Sequence, residues 1–327
     1  MTKRVFGWMI GTAAVVACAV LAVPAIAQQC SEHLAWPLTP RSWNPPRTSD
    51  GKPDLQGVWN ARRRGTPSHS VEDGVDPFDA VVLERDQTCM YGNVLASPAC
   101  GRIPYQPWAA AKREENQRNI FTPTKWSQLD TDDRCLPTGV PRANYYREFR
   151  VVQEPGFVNF LYQYTHAYRV VPTDGRPPLG KSIRLWMGDS RGRWEGDTLV
   201  IDVTNRNDKT WFDSHGSFHS ENLRVTERWT LADPDTLFYE ATMDDPTVFT
   251  GPWTIALTYD RDKGSGVDLE IWEDSCTEGV RNDLALSAGR LLKGRGETGI
   301  HRHPLNEKKH PAHTGLPEIA ILGPGCR

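Results

Sequence analysis

The chain has no excess of charge of either sign. Its 38 Lys and Arg stand against 41 Asp and Glu in 327 residues, a formal net charge of −3. That balance gives no basic face for nucleic acid and excludes a highly charged disordered chain. Long hydrophobic runs are missing beyond residue 27, so no later segment is apolar enough to span a bilayer as a helix. Neither a His-Glu-x-x-His pair nor a Cys-x-x-Cys pair occurs, which removes the commonest helical zinc site and the thiolate metal knuckle. A collagen-like period and coiled-coil heptads are absent as well.

What is present points to strands and turns. Twelve Trp, 25 Pro and 27 Gly leave little room for long helices. At the start, Lys3 and Arg4 precede an apolar run from Val5 to Ala27 that ends Ala25-Ile26-Ala27. This is the pattern of a secretory signal cleaved after Ala27, and it implies a periplasmic or secreted protein. Removal of residues 1–27 takes away Cys18 and leaves six cysteines. An even number in an oxidising compartment reads as disulfides. Cys89 and Cys100 flank a short Gly/Pro loop, Cys30 and Cys326 lie near the two mature ends, and Cys135 is left for Cys276.

The remainder has three textures. Residues 28–150 are irregular and proline-broken and read as a disulfide-pinned wrap, with one short helix near Trp108–Gln117 and a strand entry at Asp54–Trp59. Residues 151–275 alternate strand-like runs with Asp-, Gly- and Pro-rich joints. The runs are 157–171, 182–187, 198–204, 220–230, 236–243, 253–259 and 267–272. Asp197–Thr204 and Asp235–Thr242 echo each other as one hairpin unit. Residues 276–327 are basic and loop-like, with a helix at Asn282–Leu292 and a His-rich end (His301, His303, His310, His313). The expected fold is all-β: an antiparallel meander closing into a barrel-like, lipocalin-like core with short helices.

Alternation along the strands locates a pocket, because every second residue shares a face. From His219 to Thr230 one face is wholly polar. The other carries His219, Glu221, Leu223, Val225, Glu227 and Trp229 and must look inward. From Val158 to Val170 the aromatic face holds Phe160, Tyr162, Tyr164, His166 and Tyr168. An interior lined by these aromatics, with Trp229, suits a small aromatic or hydrophobic ligand. Buried carboxylates are costly unless paired, so Glu227 either belongs to a site or holds an inward arginine such as Arg184. Asp189 and Arg191, between Gly188 and Gly192, also read two ways. They bind substrate at a barrel mouth, or they lock the loop, with Asp189 capping turn amides.

The segments Gly51-Lys52-Pro53-Asp54-Leu55-Gln56-Gly57-Val58-Trp59, Arg134-Cys135-Leu136-Pro137, Gly188–Leu199, His219-Ser220-Glu221, Asp245-Pro246, Pro252-Trp253 and Glu273–Asn282 add a resemblance. Together, over about Pro46 to Arg290, they resemble a large family of secreted bacterial proteins that is mainly uncharacterised. The resemblance implies no reaction. Relatives often carry Cys-His-Glu where this chain has Cys276-Thr277-Glu278. Gly57-x-Trp59 also resembles the opening strand of lipocalins.

The expected function is an enzyme that acts on a small hydrophobic or aromatic compound by metal-free acid–base chemistry of the lyase, isomerase or cyclase type. His219 is its base or acid, oriented by Glu221 and opposed by His166 or Tyr164. Tyr162, Tyr168, Trp229, Glu227, Asp189 and Arg191 surround the ligand, and no cofactor is required. The alternatives are a non-catalytic carrier and a metal-dependent hydrolase or oxygenase using His166, His219 and Glu221.

Overall fold

The computed structural model describes residues 44–61, 70–72, 94–98, 101–121, 123–146, 148–264, 270–272, 274 and 276. The leader, Cys30, Cys89, Cys100, Cys326, the helix at 282–292 and the four C-terminal histidines lie outside them.

Ten strands form one antiparallel sheet that curls into a nearly closed barrel. They are β1 (Gly57–Ala61), β2 (Leu95–Ser97), β3 (Phe149–Glu154), β4 (Phe157–Tyr162), β5 (Tyr168–Pro172), β6 (Asp189–Glu195), β7 (Thr198–Thr204), β8 (Arg224–Asp233), β9 (Thr236–Asp244) and β10 (Trp253–Arg261). The helices are α1 (Pro107–Phe121) and the short α2 (Arg142–Tyr146). The order around the sheet is β5-β4-β3-β1-β10-β9-β8-β7-β6. β2 shares an edge of β10 with β1: Ile255 faces Leu95 and Thr254 faces Ser97, while Tyr259 faces Ala61.

Strand count explains the seam. Each neighbouring pair along the nine-strand path is antiparallel. An odd number of alternating strands makes the first and last parallel, so β5 and β6 meet without continuing the antiparallel ladder. Side chains close the gap. Arg169 Nε donates to Ser190 Oγ at 2.8 Å. Gly192 lets β6 approach β5, because a Cβ there would stand 2.9 Å from Val171 and 2.8 Å from Thr173.

Several strands follow the sequence pattern and several do not. β7 and β9, the two echoing segments, both follow tight turns. Gly188 and Gly192 point to a turn, yet residues 189–195 form β6, whereas residues 182–187, expected as a strand, are loop. The run 157–171 is two strands. Thr165 and His166 both adopt positive φ, 54° and 50°, and this reversal resets the alternation. Arg169 and Val171 therefore point inward, and Tyr168 is 71 % exposed. The early segment does more than wrap. It inserts β1 between β10 and β3 and supplies α2 as a plug.

The barrel interior is filled. Phe149 packs edge-on against Trp229 and Tyr259, with ring centroids 5.7 and 5.2 Å apart, and Phe160 lies 5.2 Å from Trp229. At the centre the Glu227 carboxylate is fully enclosed. Its partner is Arg169, through Nη2 on Oε2, and not Arg184. Asn144 of α2 donates to Glu227 Oε1 at 2.7 Å and Tyr239 OH donates to the same oxygen at 2.9 Å. Tyr162 OH donates to Asn144 Oδ1 at 2.7 Å. Removing one member of a buried ion pair strands the other charge. Arg169→Met is expected to lower the urea-unfolding free energy by about 3–5 kcal/mol. Arg169→Met with Glu227→Leu should recover most of that loss; equal loss in both proteins would show that the pair's charge is not what holds the barrel.

Candidate functional site

The residues singled out as one pocket separate into three environments. Tyr162, Trp229 and Glu227 belong to the packed interior and bind each other and the plug. Tyr162 and Glu227 both bond Asn144, and the Trp229 ring packs on Tyr239. Tyr168 faces solvent because of the phase change after His166. His166 is also exposed, with Nε2 2.9 Å from the Asp274 carbonyl.

His219 is buried, but Glu221 is not beside it. β8 starts only at Arg224, and residues 221 and 222 form a turn. That turn leaves the Glu221 side chain 57 % exposed on Arg184, Nε to Oε2 3.0 Å. Both nitrogens of His219 are engaged by other groups. Nδ1 lies 2.8 Å from the Ser220 carbonyl and Nε2 lies 2.7 Å from Thr210 Oγ1. Nδ1 therefore carries the proton, and Thr210 donates to Nε2. Arg206 Nη2 lies 3.3 Å from the same Nε2. Burial, with Arg206 adding to it, pushes the His219 imidazole down to about 3. It is a neutral structural hydrogen-bonding group at neutral pH. Arg206 is itself unusual. It is buried, no carboxylate among the described residues pairs with it, and Nε and Nη1 have no hydrogen-bond partner. Burial draws its guanidinium down to about 10.

Asp189 and Arg191 form the loop lock. Asp189 Oδ2 accepts the Leu179 amide at 2.7 Å and Oδ1 lies 2.5 Å from Arg191 Nη1. Arg191 Nε donates to the Pro177 carbonyl at 2.9 Å. Two spacing matches in this stretch are structural coincidences. Gly188-x-Ser190-x-Gly192 has the spacing of a hydrolase nucleophile elbow. Ser190, however, is a buried strand residue bonded to Arg169, with no strand-to-helix turn. Gly175-x-x-x-x-Gly180-Lys181-Ser182 has the spacing of a phosphate-binding loop. No helix follows it, and Pro177 and Pro178 have no amide hydrogens to offer.

The third environment sets the buried Tyr164 against the half-buried Asp132, Asp133 and Tyr146. A tight turn at residues 130–135 leads into Cys135, which is disulfide-bonded to Cys276 as the cysteine arithmetic expects. Tyr164 OH donates to the Asp132 carbonyl at 2.8 Å and lies 3.4 Å from Cys276 Sγ. Tyr146, at the end of α2, donates a short hydrogen bond to the Asp132 carboxylate. The Tyr146 and Tyr164 rings meet edge to face at 4.6 Å. Arg142 anchors this turn. It holds Asp130 through two bonds, Nη1 to Oδ1 at 2.6 Å and Nη2 to Oδ2 at 2.7 Å, and its guanidinium lies over the Tyr146 ring. Burial opposes the charge on both partners. The bidentate pairing overrides it, setting Asp130 below and Arg142 above their ordinary values.

Asp133 takes the opposite course. Burial, reinforced by the carboxylates of Asp130 and Asp132, pushes its carboxyl up to about 7. Burial and the Asp132 carboxylate likewise raise the Tyr164 hydroxyl. The two phenols thus both bond Asp132, through its carboxylate and its backbone carbonyl, and the raised carboxyl of Asp133 is next in the chain. Tyr164 was legible in the sequence. Asp132, Asp133 and Tyr146 were missed, although the run Asp130-Thr131-Asp132-Asp133 concentrates carboxylates just before a disulfide cysteine. Among the described residues no three His, Cys, Asp or Glu side chains form a metal-ligand set, and His166, His219 and Glu221 are dispersed.

The Asp133 shift has a sign that a pH titration reads. Its folded value lies above the ordinary 3.8, so the folded chain binds the proton more tightly than the unfolded one. Its cost to stability is absent below about pH 4, grows through pH 7 and is constant above. The Tm of Asp133→Asn should match wild type at pH 4 and exceed it increasingly up to pH 7. A gap that does not vary with pH would refute the raised carboxyl.

No protein-family profile matches the chain, and no curated protein sequence matches it. Among solved structures it is similar to secretory abundant heat soluble protein 4 from Ramazzottius varieornatus. The two are 14 % identical, the likeness covers 38 % of this chain and 81 % of that one, and the TM-score is 0.24. A likeness that faint carries no argument about what this chain does.

Proposed function

We propose that the protein is an exported enzyme that acts on a small hydrophobic or aromatic compound by metal-free general acid–base chemistry at the turn of residues 130–135. The observation that carries this reading is the convergence of the Tyr146 and Tyr164 hydroxyls on Asp132, with the half-buried Asp133, whose carboxyl is raised, next in the chain. Asp133 takes or gives the proton. Tyr146 donates to the oxygen on which charge develops, and the Tyr146 and Tyr164 rings offer an aromatic wall. The packed barrel interior counts against the carrier alternative in its usual form, with a ligand inside the barrel.

The test is mass spectrometry of a mixed set of aromatic and terpenoid compounds incubated with the protein. Wild type should convert at least one of them, unaffected by EDTA. Asp133→Asn should lower the rate by about 10²- to 10⁴-fold, and the pH profile of kcat/KM should break near 7. A compound that co-purifies unchanged would favour the carrier. Activity lost in EDTA and restored by metal would favour the hydrolase or oxygenase reading.

A further inference from the structure

Among the described residues, three of the five exposed large aliphatic side chains lie on one loop, and the other two lie on β4 and β5. Between β5 and β6, every residue from 174 to 185 is exposed. Leu179, Ile183 and Leu185 are 41, 42 and 37 % exposed. Neighbouring strands extend the apolar surface, with outward Tyr168 and Val170 on β5 and Leu161 paired to Tyr168 on β4.

The loop is rigidly held by its backbone. Asp189 accepts the Leu179 amide, and Asn205 Nδ2 donates to the Gly180 carbonyl at 2.8 Å. Arg191 holds the Pro177 carbonyl, and the Leu185 amide donates to the Asn205 carbonyl at 2.8 Å. These anchors leave the side chains of the loop free to face outward, so docking requires little further ordering. Its charge opposes that of the chain. Arg176, Lys181 and Arg184 outnumber Asp174 in the loop, whereas the whole chain carries −3. Arg176 pairs with Asp174, and Arg184 with Glu221 from a neighbouring turn, while Lys181 stands in solvent. At the base of the loop Lys209 lies over the Trp186 ring, 5.9 Å from its centroid. Aliphatic tips interleaved with cations, flanked by an exposed tyrosine, are the chemistry of a surface that enters the headgroup layer of an anionic bilayer.

We propose that residues 174–185, with the outer faces of β4 and β5, dock the protein on an anionic lipid surface. Leu179 and Ile183 enter the headgroup–acyl boundary, and Lys181 meets the lipid phosphates. This surface is separate from the turn at 130–135, and its test does not depend on any activity.

The test is co-sedimentation of the full chain with phosphatidylglycerol/phosphatidylethanolamine vesicles and with phosphatidylcholine vesicles. The apolar run of residues 5–27 binds both kinds of vesicle alike, so binding to phosphatidylcholine vesicles is its baseline and the excess on anionic vesicles reports on the loop. Wild type should sediment with the anionic vesicles. Leu179→Asp with Ile183→Asp should weaken apparent affinity by at least about tenfold, and Lys181→Glu should weaken it and reduce its salt dependence. Far-UV circular dichroism should be unchanged, because these side chains are exposed. Failure of wild type to bind, or equal binding by the double variant, overturns the proposal. Lipid-free self-association in sedimentation velocity that the double variant abolishes would also overturn it, and would assign the face to a second copy of the chain.

Discussion

A carboxylate enclosed in the middle of the barrel sets the terms for everything around it. Glu227 lies on the inward face of β8 and has no access to water. A charge in that place persists only with a counter-charge and enough hydrogen-bond donors. Arg169, Asn144 and Tyr239 supply them from β5, α2 and β9. The same bonds therefore tie the free edge of the sheet, the plug and the meander to one point. Arg169 also reaches across the seam to Ser190, so one side chain both neutralises the core and bridges the barrel where strand parity ends the antiparallel ladder.

That solution determines where chemistry has room. Aromatic rings and the plug pack the interior, and the half-buried Asp132, Asp133 and Tyr146 lie at α2 and the turn beside it. There Arg142 and Asp130 neutralise each other and hold the turn, while burial and the carboxylates of Asp130 and Asp132 outweigh the attraction of Arg142 at Asp133 and raise its carboxyl. His219 shows the opposite outcome of burial: sealed in next to the Arg206 guanidinium, its imidazole is pushed down and accepts a hydrogen bond from Thr210. Two groups with perturbed values thus have different meanings, one half-open and poised near neutrality, the other sealed.

The long motif from Gly188 to Leu199 is largely architecture. Asp189 and Arg191 hold the preceding loop, Ser190 receives Arg169, and Gly192 admits β5. Its density of polar residues invites a catalytic reading, yet Asp189, Ser190 and Arg191 are matched to the loop and the seam, and Arg193, Glu195 and Asp197 form exposed ion pairs with Asp202, Arg228 and Arg47.

Much of this was written locally. Hairpin joints at 195–197 and 233–235, the inward alternation of Val225, Glu227 and Trp229, and the all-β meander follow from period-two geometry and turn chemistry, which act over a few residues. The Cys135–Cys276 pairing followed from counting. What the sequence could not express is which strand faces which. Two consecutive positive-φ residues at Thr165 and His166 turned Tyr168 out and Arg169 in, and no alternation rule anticipates a reversal of its own phase. The partner of Glu227, the exposure of Glu221 and the meeting of Tyr146 with Asp132 are likewise decided by the path of the chain around a barrel of nine strands. Side-chain direction is a local property of the backbone, but the identity of the neighbour is the sum of every pairing and turn that lies between.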